Sequence, residues 1–174
     1  MLKKEREVIK LSMIFKFTGN YVHDGSWAAP DPAFEGEILV NDDNSICGYC
    51  LDNSEIDINS VVYREKYLVG ALGTTGKQKQ GIAFYKFSDH PYYTPKMYLL
   101  TDVQNPDSAL WAEQNAQGNF ILQGMAKINL QKKIYYKEAE DAIKTRFEQL
   151  STLGHQQIQQ RVEACVHCVT SASN

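Results

Sequence analysis

Eight separate stretches of this chain alternate apolar and polar residues with a period of two, and that periodicity leaves few folds open. Residues two apart on extended backbone share a face, so each stretch offers one apolar side to a core. Leu11, Met13, Phe15 and Phe17 share such a face, as do Phe34, Gly36, Ile38 and Val40, with Glu35 and Glu37 turned the other way. The same reading gives strands at about 46–51, 61–72, 81–87, 97–103, 109–114 and 120–130. Most connections are short. Residues 41–45 (Asn-Asp-Asp-Asn-Ser) read as a hairpin turn, because Asn and Asp tolerate left-handed backbone. The glycines of Gly73-Thr-Thr-Gly-Lys77 are expected to end one strand and turn the chain into the next.

After about residue 137 the period becomes helical. Ala139, Ile143, Phe147 and Leu150 form one stripe, with Gly154 as a C-cap. A second helix at 156–169 puts Ile158, Val162, Cys165 and Val169 on one face, and the tail after it is expected to fray. The expected fold is therefore mainly β: an eight-stranded antiparallel up-and-down barrel (11–130) with a C-terminal helical segment (137–169), all in one domain, 1–174. Closing the sheet removes the exposed edges that eight open strands would leave. Such a barrel has room for side chains or one small ligand.

This layout resembles the calycin-type barrels, above all the lipocalins, in which eight meandering strands precede a C-terminal helix. Gly25-Ser-Trp27 is similar to the family's Gly-x-Trp, and Thr101-Asp102-Val103 falls between strands six and seven, where the family carries Thr-Asp-Tyr. Avidin-like barrels share the strand layout but usually lack the helical tail.

Charge and composition narrow the partners. With 18 Lys+Arg against 21 Asp+Glu the formal charge is −3, and no basic stripe is present, which argues against nucleic-acid binding. No stretch approaches the roughly 20 apolar residues of a membrane span. Lys10 and Lys16 break the apolar run that a signal peptide would need, so the expected location is cytoplasmic, with the four Cys reduced.

Two Cys-x-x-Cys units, Cys47/Cys50 and Cys165/Cys168, raise the question of zinc. On a strand, residues three apart face opposite ways, and Cys165 lies within an apolar helix stripe, so all four read as structural thiols. No metal or cofactor is expected. Gly70-Ala-Leu-Gly-Thr-Thr-Gly-Lys77 fails as a phosphate loop: Ala71 and Gln78 stand where glycine and a magnesium-binding hydroxyl belong. Residues 41–44 carry oxygen ligands but lack the spaced glutamate of a helix-flanked calcium loop. His23, beside Asp24, and His90 are candidates for acid/base work, but no nucleophile accompanies them and no catalytic residue is assigned.

The aromatic residues are the remaining signal. Trp27, His90, Tyr92 and Tyr93 fall in loops, where they suit a barrel mouth, while Tyr67, Tyr85 and Trp111 lie in strands with Glu113 near the last of them. These eight residues form the candidate ligand site. The expected function is binding of a small apolar molecule. Two alternatives stand beside it: an interaction module that dimerises through the Ile158/Val162/Cys165/Val169 face, or a barrel enzyme using His23 or His90.

Overall fold

A computed structural model describes residues 11–21, 30–54 and 64–172. Eight strands close into one antiparallel barrel in sequence order: β1 (Met13–Tyr21), β2 (Phe34–Val40), β3 (Ser45–Asp52), β4 (Glu65–Thr74), β5 (Gln80–Phe87), β6 (Lys96–Leu100), β7 (Ala109–Gln114) and β8 (Phe120–Lys133). Closure is made by β1 on β8, with Tyr21 opposite Ala126 and Ile14 opposite Lys133. Two helices follow, α1 (Lys137–Leu150) and α2 (His155–Thr170). The up-and-down barrel and the helical segment are as the alternation implied.

The barrel has two distinct ends. The turn pole carries the β2–β3, β4–β5 and β6–β7 connections, and the loop pole carries β1–β2, β3–β4, β5–β6 and β7–β8. Phe17, Phe34, Phe84 and Tyr98 meet in the lumen between them, with ring centroids 5.0–6.1 Å apart. Trp111 lies against Tyr21 at 4.8 Å. Glycines on facing positions make the space for these rings. A Cβ on Gly19 would sit 2.1 Å from the Phe34 ring, and one on Gly70 2.7 Å from Phe84 Cβ.

Outside the barrel, α1 packs on β2 and β3, placing Ile143 against Ile14 and Leu39. The second helix lies on β4 and β5, where Cys165 and Val169 are buried with Tyr67, Val69, Ala71, Ala83 and Tyr85. Ile158 and Val162 pack on that cluster, so the stripe considered for dimerisation is covered by the chain's own barrel.

Several local expectations need correction. Gly154 does not end α1: Ser151 caps it, and Gly154 is the N-cap of α2, with extended backbone. The left-handed residue of the β4–β5 turn is Gln78 (φ 61), not a glycine. Gly73 instead lets α2 approach, since a Cβ there would lie 3.0 Å from Val169 Cγ1. The tail does not fray at once after the helix, because Gly76 N–H donates to Ala172 O at 3.1 Å. The 41–45 turn is as expected, with Asn44 at φ 69. Strand β6 ends at Leu100 and β8 runs on to Lys133, against the expected 103 and 130. Strand β4 starts at Glu65 among the described residues.

Candidate functional site: a lumen with two unlike halves

At the turn pole the lumen holds a cavity of about 370 Å³ that opens to solvent. Alternation puts its walls in place. Met13 and Phe15 of β1, Ile38 and Val40 of β2, Leu72 of β4, Ile82 of β5 and Leu130 of β8 all lie on the inward phase of their strands, and Val103 joins them from the β6–β7 connection. Gln80, Gln104 and Lys132 supply the polar lining. Below it stand the aromatic rings of the barrel centre. An apolar cup with a few polar groups is the ordinary form of a site for a small, mostly apolar molecule.

The loop pole is built differently. Lys86 follows Ile82 and Phe84 on the inward phase of β5, and Lys66 precedes Leu68 on that of β4, so both enter the lumen and both are fully buried. Lys86 Nζ donates to Asp52 Oδ2 at 3.0 Å. The other Asp52 oxygen accepts from the Ser54 N–H (3.0 Å) and hydroxyl, and Tyr21 Oη donates in turn to Ser54 Oγ at 3.1 Å. Burial works against the Asp52 carboxylate, but Lys86, the Ser54 bonds and Lys66 outweigh it and lower its pKa. Burial likewise opposes the charge on Lys86, and the oxygens of Tyr93, Tyr98 and Asp52 outweigh it, raising its pKa. Lys86 Nζ also lies 4.1 Å from the Phe34 ring centre.

Tyr93 closes this pole. Its ring takes Lys66 Nζ at 4.7 Å and Lys96 Nζ at 4.5 Å, and Lys96 lies 3.8 Å from Glu113. Burial pushes the phenol pKa of both Tyr93 and Tyr98 up. Their hydroxyls are buried and find no acceptor among the described residues.

The residues singled out from the sequence are thus divided. Tyr93, Trp111 and Glu113 belong to the loop pole or the lumen beside it. Tyr67 and Tyr85 point outward, beneath the helices: Tyr67 meets Phe147 edge-on at 5.9 Å and Tyr85 lies under Arg161. Burial raises both phenols to about 12. Tyr92 is 86% exposed. His90 accepts from Tyr92 N–H within its own turn, at 3.3 Å. Trp27 and His23 lie outside the described residues, as does Gly25-Ser-Trp27.

Cys47 and Cys50 sit on opposite sides of the barrel wall, Cys50 in the lumen and Cys47 against the helices. Burial raises the Cys50 thiol to about 12 and the Cys47 thiol to about 11, and raises Cys165 as well. Among the described residues no group of three or more His, Cys, Asp or Glu could hold a metal ion, and no helix is long and apolar enough to cross a membrane. Sequence reasoning missed Lys66, Lys86, Asp52 and Tyr98, and the whole turn-pole cup. A signal existed: both lysines fall on the apolar phase of their strands.

No protein-family model, curated protein or solved structure matches this chain.

Proposed function

We propose that the protein binds a small, largely apolar molecule, seated in the turn-pole half of the lumen. The observation that carries this is the open cup of about 370 Å³, walled by aliphatic and aromatic side chains in a barrel whose centre is otherwise filled. Burying an apolar ligand there gains about 25 cal/mol for each Å² taken from water, and Gln80, Gln104 or Lys132 would orient any polar end. The calycin-like layout supports the same reading, since a closed meander of eight strands with a C-terminal helix is present.

Titration with the fluorescent apolar probe N-phenyl-1-naphthylamine tests it. The wild type is expected to enhance emission saturably, and Val40→Phe and Leu72→Phe, which fill the cup, to weaken binding about tenfold or more while the circular dichroism stays the same. Native mass spectrometry of freshly purified protein should show a retained small molecule. Equal probe binding by wild type and both filled variants would defeat the proposal.

A further inference from the structure

Among the described residues of the opposite pole, the hydrogen-bond donors outnumber the acceptors. Both oxygens of Asp52 are engaged: Ser54 donates twice to one and Lys86 takes the other. Lys86 has three N–H groups, of which one goes to Asp52 and another faces the Tyr98 oxygen. Tyr93 and Tyr98 each bring a buried hydroxyl that finds no acceptor among the described residues, and Tyr98 is wholly enclosed. A buried donor left without an acceptor is costly, and native proteins keep few of them. Two such donors beside one buried ammonium group are an arrangement that an acceptor would complete.

The local field selects the acceptor's charge. Lys66 and Lys86 are both fully buried here, and both act to lower the pKa of Asp52 and of the Cys50 thiol. An anion is favoured over a neutral carbonyl in such a place, and water-poor surroundings strengthen the preference. Lys66 and Lys86 less Asp52 leave one net positive charge at this pole, which matches a singly charged, planar acceptor better than a dianion.

We propose that the loop-pole half of the lumen is a binding site for a small carboxylate, held by the Tyr93 and Tyr98 hydroxyls and the Lys86 ammonium group. The site is separate from the apolar cup, because the Phe17, Phe34, Phe84 and Tyr98 rings stand between the two.

The test uses the full chain at constant ionic strength and pH 7, with sodium acetate as probe and sodium chloride, acetamide and inorganic phosphate as comparisons. Acetate is expected to raise the melting temperature above its value in chloride, and ¹³C-acetate resonances to show saturable binding. Tyr98→Phe and Tyr93→Phe keep the rings and remove only the hydroxyls that lack an acceptor, so both variants should fold. Each should weaken acetate binding about tenfold, the loss expected for one hydrogen bond to a charged group. Acetate no better than chloride would overturn the proposal, as would binding unchanged in both variants. Acetamide matching acetate would overturn the assignment to an anion, and phosphate matching it would overturn the carboxylate. Loss of probe binding in the cup would leave these outcomes untouched.

Discussion

Replacing Asp52 with asparagine removes one charge from the buried pair while keeping shape and an acceptor oxygen. The side-chain amide oxygen of the Asp52→Asn variant could still take the Ser54 N–H, so the change isolates the loss of the counter-charge to Lys86, 3.0 Å away in wild type. Neither partner is screened: the Lys86 side chain has no exposure and that of Asp52 has 4%. Breaking such a pair by removing one partner costs about 3–5 kcal/mol, chiefly the penalty of an uncompensated buried ammonium group. For a chain of this length 1 kcal/mol moves the melting temperature by about 2–4 °C, so a fall of roughly 6–20 °C is expected by calorimetry. The double variant Asp52→Asn, Lys86→Met strands no charge and should recover most of the loss.

The pH dependence gives a second reading of the same pair. Asp52 has a lowered folded pKa, so its stabilisation is present above the unfolded value of about 3.9 and fades as pH falls through the folded one. Lys86 has a raised folded pKa, so its contribution holds below about 10.4 and fades as pH rises through the folded value. The gap between wild type and Asp52→Asn should therefore be flat from about pH 5 to 7, shrink in stronger acid, and shrink again as pH rises toward about 10.4, where the stranded Lys86 of the variant can give up its proton. A cost under about 1 kcal/mol at pH 7 would refute the reasoning, because it would mean that Lys86 does not depend on Asp52.

Three further outcomes are expected. Gly36→Ala would bring a Cβ to 2.0 Å from Tyr49 O, a backbone atom that cannot step aside; urea melts should show about 3 kcal/mol lost, or no folded protein. Phe147→Ala should cost about 3–5 kcal/mol, since this buried ring fastens α1 to Tyr67, and amide exchange should quicken in α1 more than in β1. Burial pushes the Cys47 thiol up to about 11 and Cys50 to about 12, so a thiol reagent at pH 8 should react slowly with the native chain; in guanidinium all four cysteines should react promptly.

Most strands could be found from alternation, but which face turns inward could not always be. In β1 and β8 one face is apolar and the other carries Lys16, Lys127 and Asn129, so the inward phase is plain. In β4 and β5 both faces are apolar because α2 covers the outside: Leu68 enters the lumen while Tyr67 and Val69 meet the helix. That is why Tyr67 and Tyr85 read as ligand contacts before the register was known. Lys66 and Lys86 escape a reading from the sequence for the opposite reason. Full burial of Lys is rare, so Lys66 and Lys86 look like solvent-facing residues unless their phase is counted against Leu68 and Phe84. The cup itself depends on strand stagger and side-chain length together, and neither is written in the period of the pattern. The turns fared better where chemistry was local: Asn44 takes the left-handed conformation that its side chain tolerates.

The unlike character of the two poles follows from what fills the middle. Rings at the centre are held by their partners and by the glycines opposite them, so the layer has little freedom to part. Without that layer, the ammonium groups of Lys66 and Lys86 would share one continuous lumen with the apolar cup, and water drawn in by the charges would weaken apolar burial there. With it, each half keeps its own dielectric. Phe34 sits on the boundary: its ring packs with Phe17 at 6.0 Å between centroids and has Lys86 Nζ 4.1 Å from its centre. A ring is suited to that position because its face attracts a cation while its edge packs with other apolar groups. The need for a close-fitting ring also explains Gly19, where any side chain would push Phe34 off the boundary. The central rings therefore form a partition, and under the two proposals the groups that would meet a ligand are Phe15 and the aliphatic residues on one side and the phenol hydroxyls and Lys86 on the other.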